Sequence, residues 1–141
     1  MVLYAKDIMK NYTKTFPPTT LAFEGAKVMQ QDRVGFIVVE DKDGKPAGIV
    51  TEWDYISKIV AAEKDPKKVT IGEIMNVGII SVEANTPTEK VTVIMGKHLI
   101  RRIPVFENGK MIGVITSRDI IRIFKDYMDS ISEIIARFGN F

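Results

Sequence analysis

The feature that most constrains this chain is that it is written twice. "KDIM" (Lys6 to Met9) returns 66 residues later as "GEIM" (Gly72 to Met75), and Met29 and Met95 stand at the same offset. "VGFIVV" (Val34 to Val39) falls on "IRRIPV" (Ile100 to Val105). The turn that follows, "DKDGKPAG" against "ENGKMIG", is one residue shorter in the second copy. Beyond it the offset is 65: Gly48 with Gly113, Thr51 with Thr116, Asp54 with Asp119 and Ile56 with Ile121. One deletion in a turn brings the chain into register to about residue 125, which identifies a tandem duplication.

Both copies share one grammar. A short helix carries "DIM" or "EIM", and an extended piece follows ("KTF", "IISV"). An apolar period near 3.6 predicts a helix over about 20–31 and another over about 88–98. Next comes a strand rich in β-branched residues, "GFIVVE" or "RIPVFE". A glycine turn follows, and in the second copy its Asn-Gly is a hairpin signal. A second strand, "AGIVT" or "IGVIT", leads into a helix that opens at Thr51 or Thr116. The predicted order is β-α-β-β-α, twice. A copy of roughly 60 residues is marginal alone, so the two are expected to bury their sheet faces together. The expected organisation is a first domain over 1–63, a linker over 64–70, a second domain over 71–125 and a helical extension over 126–141. "AAEKDPKKVT" is the charged linker, and its Pro66 ends the helix before it.

Thr-x-x-Asp at a helix start has two readings. It is a capping box, in which Thr caps the helix and Asp returns a bond to the cap's amide. It also suits a nucleotide. A helix N-terminus with a Thr hydroxyl favours a phosphate, and a carboxylate pairs with a ribose diol. Ser and Glu would cap equally well, and both copies keep Thr and Asp.

These features together resemble a pair of CBS domains, the Bateman module, over about residues 4–125. The motifs that carry the resemblance are "DIM"/"EIM", "VGFIVVE"/"IRRIPVFE" and "GIVTEWD"/"GVITSRD". It implies an α+β fold of tandem CBS domains packed through their sheets with pseudo-two-fold symmetry. It also implies adenine ligands held in two clefts between the halves: AMP, ADP or ATP, with S-adenosylmethionine as a further candidate. Carried over, Asp54 and Asp119 take ribose, and Thr51 and Thr116 take phosphate. Ile49 and Val114 line the base pocket; Val34, Gly35, Ile100 and Arg101 precede the strand against the base. Thr15 and Ser81 lie at the cleft mouth. No cofactor is required, and two-fold homodimers are implied.

The copies are not equivalent. Arg101, Arg102 and Arg118 correspond to Gly35, Phe36 and Trp53. An arginine fork binds phosphate oxygens, so the three arginines are phosphate candidates and the Asp119 site is expected to be the stronger. Solvated surface arginines are the plain alternative for Arg102 and Arg118. Phe36 either stacks on a base or fills the pocket, and Trp53 either covers a ligand or packs in a dimer contact. His98, the sole histidine, reads as solvated or packed. Met9, Met29, Met75 and Met95 read as core filling.

Lys plus Arg number 20 against 18 Asp plus Glu. That balance argues against a non-specific nucleic-acid binder. No cysteine is present, which removes disulfides, thiolate metal sites and a cysteine nucleophile. The opening "MVLYAKDIMK" does not read as a signal peptide and no apolar run spans a bilayer, so a cytoplasmic location is expected. There is no Gly-rich phosphate loop, metal-ligand spacing or nucleophile–base pair, so the chain is expected not to be an enzyme. The expected function is a ligand-sensing regulatory module read out by a separate effector protein. The alternatives are a nucleic-acid-associated module and a purely structural dimerisation module. The apolar spacing from Ile120 to Phe138 predicts that the last helix runs on beyond the repeat, either to cover its own core or to contact a second copy.

Overall fold

The computed structural model describes residues 2–139; Met1, Asn140 and Phe141, and with them the last two residues of the expected 126–141 extension, lie outside the described residues. The elements in chain order are α1 (Ala5–Ile8), β1 (Lys10–Asn11), β2 (Thr15–Phe16), α2 (Ala22–Asp32), β3 (Phe36–Glu40), β4 (Pro46–Thr51) and α3 (Glu52–Tyr55), which continues as a π-helical turn (Ile56–Val60). Then come α4 (Ile71–Ile74), β5 (Val82–Glu83), α5 (Thr88–His98), β6 (Arg102–Glu107), β7 (Lys110–Thr116) and α6 (Ser117–Phe138). The mixed α+β pattern agrees with the sequence. The extended "IISV" is narrower than expected, because only Val82 of those four residues joins a strand.

Two compact units form, and each draws on both copies of the repeat. One comprises residues 1–12, 81–107 and 112–141; the other comprises 13–80 and 108–111. In the first, the strand order is β1-β7-β6-β5. β1 is antiparallel to β7, with Lys10 opposite Val114, and β5 is parallel to β6. In the second the order is β2-β3-β4, with β2 parallel and β4 antiparallel to β3. Asn76 closes that edge by a bridge to Ile49.

The short helices show the exchange most directly. Ala5 N–H donates to Thr86 O at 2.8 Å and Lys6 N–H to Ala84 O at 3.0 Å. At the equivalent positions Ile71 N–H donates to Thr20 O at 2.8 Å and Gly72 N–H to Pro18 O at 3.0 Å. Each "DIM"-type helix therefore seats on the entry to the longer helix of the other copy. Four-residue helices cannot persist alone, and burial of Ala5, Ile8, Ile71 and Ile74 supplies what local helix formation lacks.

In the second unit the core is built on Ala22, Ile37, Val39, Val50, Ile59 and Ile71, with Met29 and Met75 packed against it. Ile37 and Val39 are alternate residues of β3, as a strand with one face on a core requires. In the first unit Ile8, Val91, Met95, Ile103, Val105 and Ile115 are buried. Tyr55 donates its hydroxyl to Ala22 O at 2.7 Å, and burial raises its phenol to about 12.

Candidate functional site

Each unit holds one Thr-x-x-Asp at the junction of a strand and a helix, and the two are built alike. β4 delivers Thr51 in extended conformation to the start of α3, and β7 delivers Thr116 likewise to α6. The first helical N–H of each is taken by the loop before the middle strand: Glu52 N–H by Gly35 O at 3.3 Å, and Ser117 N–H by Arg101 O at 2.9 Å. Thr51 N–H donates to Asp54 Oδ2 at 2.8 Å and its hydroxyl to the same oxygen at 3.2 Å. Thr116 repeats this with Asp119 at 2.8 and 2.9 Å, and there Asp119 N–H also donates to Thr116 Oγ1 at 3.3 Å. The capping geometry of the sequence is therefore present in both units.

A cap needs no burial, yet both carboxylates are buried: Asp54 is 3% exposed and Asp119 0%. A buried carboxylate must be paired, and both are. Lys58 Nζ lies 3.0 Å from Asp54 Oδ1, and Asn76 Nδ2 donates to Asp54 Oδ2 at 2.8 Å. Arg122 donates to Asp119 Oδ1 at 3.1 Å, with Lys10 Nζ at 3.7 Å. Burial alone would push the Asp54 carboxyl up. The bonds from Thr51 N–H, Asn76 and Lys58 outweigh it and hold the group below its usual range.

These four partners were not among the residues singled out from the sequence, although a signal for them exists. Lys10 and Asn76 are equivalent, 66 positions apart, each directly after its "DIM" or "EIM" methionine. Lys58 and Arg122 stand four and three residues after their aspartates, on the same helix face. In each unit the motif's oxygen Oδ1 thus meets a cation from its own helix, and the exchanged segment of the other copy adds a second partner, Asn76 on Asp54 Oδ2 and Lys10 on Asp119 Oδ1.

The remaining sequence candidates divide by unit. In the second, Phe36 pairs with Thr51 and Val38 with Ile49 across β3 and β4. Phe36 is 2% exposed, and its ring is buried in the unit. Val34 donates its N–H to Met29 O at 3.1 Å just after a left-handed Arg33 that ends α2. Thr15 Oγ1 donates to Glu40 at 2.8 Å on β2. Trp53 is exposed beside Asp54. In the first unit, Ile100 repeats the Val34 bond, to Met95 O at 3.1 Å. Val114 is buried on β7 opposite Lys10. Arg101 and Arg118 are exposed, Arg102 is half-buried on β6, and Ser81 is exposed before β5. His98 is exposed at the end of α5. Among the described residues there is no cluster of acidic and histidine side chains suited to a metal ion.

Comparison with known proteins bears on the duplicated fold. The sequence model of the CBS domain matches residues 5–61 and again 71–126. An uncharacterized protein of Methanopyrus kandleri is 33% identical over 125 residues, covering 88% of this chain and 64% of that protein. The L-aspartate semialdehyde sulfurtransferase of Methanocaldococcus jannaschii is 32% identical over 87% of this chain, but only 23% of the sulfurtransferase is covered. The chain thus spans less than two thirds of both relatives. Among solved structures, the CBS domain pair of protein MJ0100, in complex with 5'-methylthioadenosine and S-adenosyl-L-methionine, is 30% identical with a TM-score of 0.78. That match covers 90% of this chain and 99% of the neighbour. With its duplicated motif, its two sheets and both halves matched in tandem, this chain belongs to the CBS-domain family, as a CBS domain pair.

Proposed function

We propose that the chain is a regulatory module that senses an adenine-containing ligand, of the AMP, ADP or ATP class or S-adenosylmethionine, through its two Thr-x-x-Asp sites. The observation that carries this reading is a buried carboxylate, repeated in both units, at a strand–helix junction where a simple cap would leave it in solvent. The adenosyl ligands of the similar CBS pair give the ligand class its support.

The proposed roles follow from the donor inventory. Ribose hydroxyls can donate to Asp54 and Asp119 Oδ1, which now face Lys58 and Arg122. Both cations are partly exposed and can swing away while keeping their charge in solvent. The Thr51 and Thr116 hydroxyls, turned from the carboxylate, supply a donor to phosphate. Ile49 and Val114, with the Val34–Gly35 and Ile100–Arg101 loops, supply the apolar and backbone surface for the base. Thr15 and Ser81 lie farther along their units, at the proposed site entrance.

Phosphate affinity is expected to be unequal. Lys10 and Arg122 face Asp119, Arg118 lies within the motif, and Arg101 and Arg102 stand at the start of β6, whose preceding loop bonds Ser117. The equivalent positions around Asp54 hold Asn76, Gly35, Phe36, Trp53 and Ser57, with Lys58 as the added cation. The stronger nucleotide site is therefore proposed at Asp119, with the effector a separate protein. A structural module without ligand is the second reading; it is favoured by the complete pairing of both carboxylates within the chain.

Thermal-shift screening against AMP, ADP, ATP and S-adenosylmethionine tests the proposal. A ligand at a hundred times its Kd adds about 2.7 kcal/mol, a rise of several degrees in Tm. Asp119→Ala is expected to abolish most of the shift and Asp54→Ala less of it. No shift with any of the four ligands would leave the structural reading. Two equal sites in the wild type, or unchanged affinity in Asp119→Ala, would overturn the asymmetry.

A further inference from the structure

Lys58 holds more than its aspartate. An ammonium has three donors, and each of these has an acceptor: Asp54 Oδ1 at 3.0 Å, Ile74 O at 2.9 Å and Asn76 Oδ1 at 3.1 Å. Asn76 in turn donates its amide to Asp54 Oδ2 at 2.8 Å. Asp54, Lys58 and Asn76 thus close a ring of hydrogen bonds, each assisted by a charge. Ile74 ends α4, and its carbonyl is one of those that a helix end leaves without an intrahelical partner. One nitrogen therefore both neutralises Asp54 and caps α4.

The ring ties two stretches of chain. Asp54 lies on α3 and Lys58 on the π-helical turn that continues it, whereas Ile74 and Asn76 belong to the exchanged segment 71–76. That segment is bonded at its start through Ile71 and Gly72. At its end Asn76 and Ile49 trade two backbone bonds at 2.9 Å, and Lys58 braces this end from the side. The other unit is built differently. Among the described residues, the side chains of Arg122 and Lys10 meet Asp119 Oδ1 alone, and they are 56% and 61% exposed. Moving either into water gives up one carboxylate oxygen. Moving Lys58 also leaves Ile74 O and Asn76 Oδ1 without a donor.

We infer, resting on the ligand reading proposed above, that Lys58 is an internal occupant of the Asp54 site, and that a ligand which displaces it loosens the end of the exchanged segment at Ile74–Asn76. The Asp54 side chain is 5% exposed behind this ring, so a ribose hydroxyl reaches Oδ1 only as the ammonium leaves it. One nitrogen makes all three bonds, so withdrawing it into solvent gives up the two on the segment as well. Ligand and segment therefore compete for one cation. Linkage makes the effect mutual: whatever frees the segment from Lys58 raises affinity at Asp54 by the same factor. At Asp119 a ligand uncaps no carbonyl, so that site fills without loosening a segment. The two sites thus differ in kind, and the Asp54 site is the one that transmits.

Calorimetric titration with AMP and with S-adenosylmethionine is made in Asp119→Ala, where the Asp54 site alone reports. Adding Lys58→Met keeps the aliphatic stem and removes the charge, and is expected to tighten binding on the order of tenfold. Hydrogen exchange in the wild type is the second measurement and needs no variant. The N–H groups of Met75 and Asn76 donate to Ile71 O and Ile49 O at 2.9 Å, and saturation with ligand is expected to speed their exchange severalfold. If Lys58→Met does not fold, the wild-type exchange result decides. Unchanged or weaker affinity in Lys58→Met overturns the inference and leaves the ligand reading standing. So does slower or unchanged exchange at Met75 and Asn76 in the liganded wild type, and so does a ligand that binds the wild type but neither Asp119→Ala protein. Binding of neither probe to any of the three proteins overturns both.

Discussion

Glycine 113 shows how a single residue records a tertiary contact. A Cβ placed there would collide with Met9 Sδ and come within 2.7 Å of Lys10 O. At Gly48 the same atom would meet Met75 Sδ at 2.6 Å and Asn76 O at 2.9 Å. The methionine of "DIM" or "EIM" and the next residue's carbonyl thus cross directly over the glycine that opens the signature, in both units. A backbone carbonyl gives way poorly, so Gly48→Ala and Gly113→Ala are each expected to lower stability by about 1–3 kcal/mol in urea unfolding. Gly44→Ala answers to a different constraint, since nothing lies near its Cβ but its φ is +77°. Asp54 adds a pH signature. Its carboxyl is held below the ordinary value of 3.8, so its contribution is complete above about pH 4 and is lost as pH falls through the lowered value. Between pH 5 and pH 3 the urea midpoint of the wild type is expected to fall more steeply than that of Asp54→Asn.

Elements were the most legible level. The 3.6-residue period gave α2 and α5 within two residues at each end, because their apolar faces alternate with charge. The hairpin between β6 and β7 turns on Asn108 (φ 52°) and Gly109 (φ 77°), the two positive angles for which Asn-Gly is suited. The conformation that closes those helices was not legible. α2 and α5 stop at Arg33 (φ 53°) and Leu99 (φ 54°), both left-handed, where a glycine would have announced the cap. Equivalent non-glycine residues hold this conformation because the next N–H, of Val34 or Ile100, bonds back into the helix. Arg33→Gly removes that strain and is expected to raise stability by about 0.5–1 kcal/mol, read as a higher urea midpoint at unchanged m-value. The π-helical turn Ile56–Val60 was equally hidden, since its apolar spacing matches an ordinary helix.

For the whole molecule, the exchange of the short helices carries the main consequence. Residues 5–11 complete the unit that contains 81–107, and residues 71–76 complete the unit that contains 13–60. A fragment of residues 1–63 therefore lacks α4 and its Ile71 and Ile74, both buried in the core of residues 13–80. Such a fragment, expressed alone, is expected to show poor chemical-shift dispersion by NMR, whereas co-expression with 64–141 should restore a native spectrum. A well-dispersed spectrum of 1–63 alone would contradict the exchange. Among the described residues no helix is long and apolar enough to cross a membrane.

The sequence by itself determined the duplication, the order of elements, the strand–helix junctions and the paired Thr and Asp. Those depend on periodicity and on neighbours a few residues apart, which a linear text preserves. Only the tertiary structure decided that the carboxylates are buried, that Lys58, Asn76, Arg122 and Lys10 close around them, and which copy each short helix completes. In a duplicated chain the two seats for "DIM" and "EIM" carry the same local pattern. The choice between them lies in packing over some 80 residues of separation, as from Lys6 to Ala84, and local propensity holds no record of it.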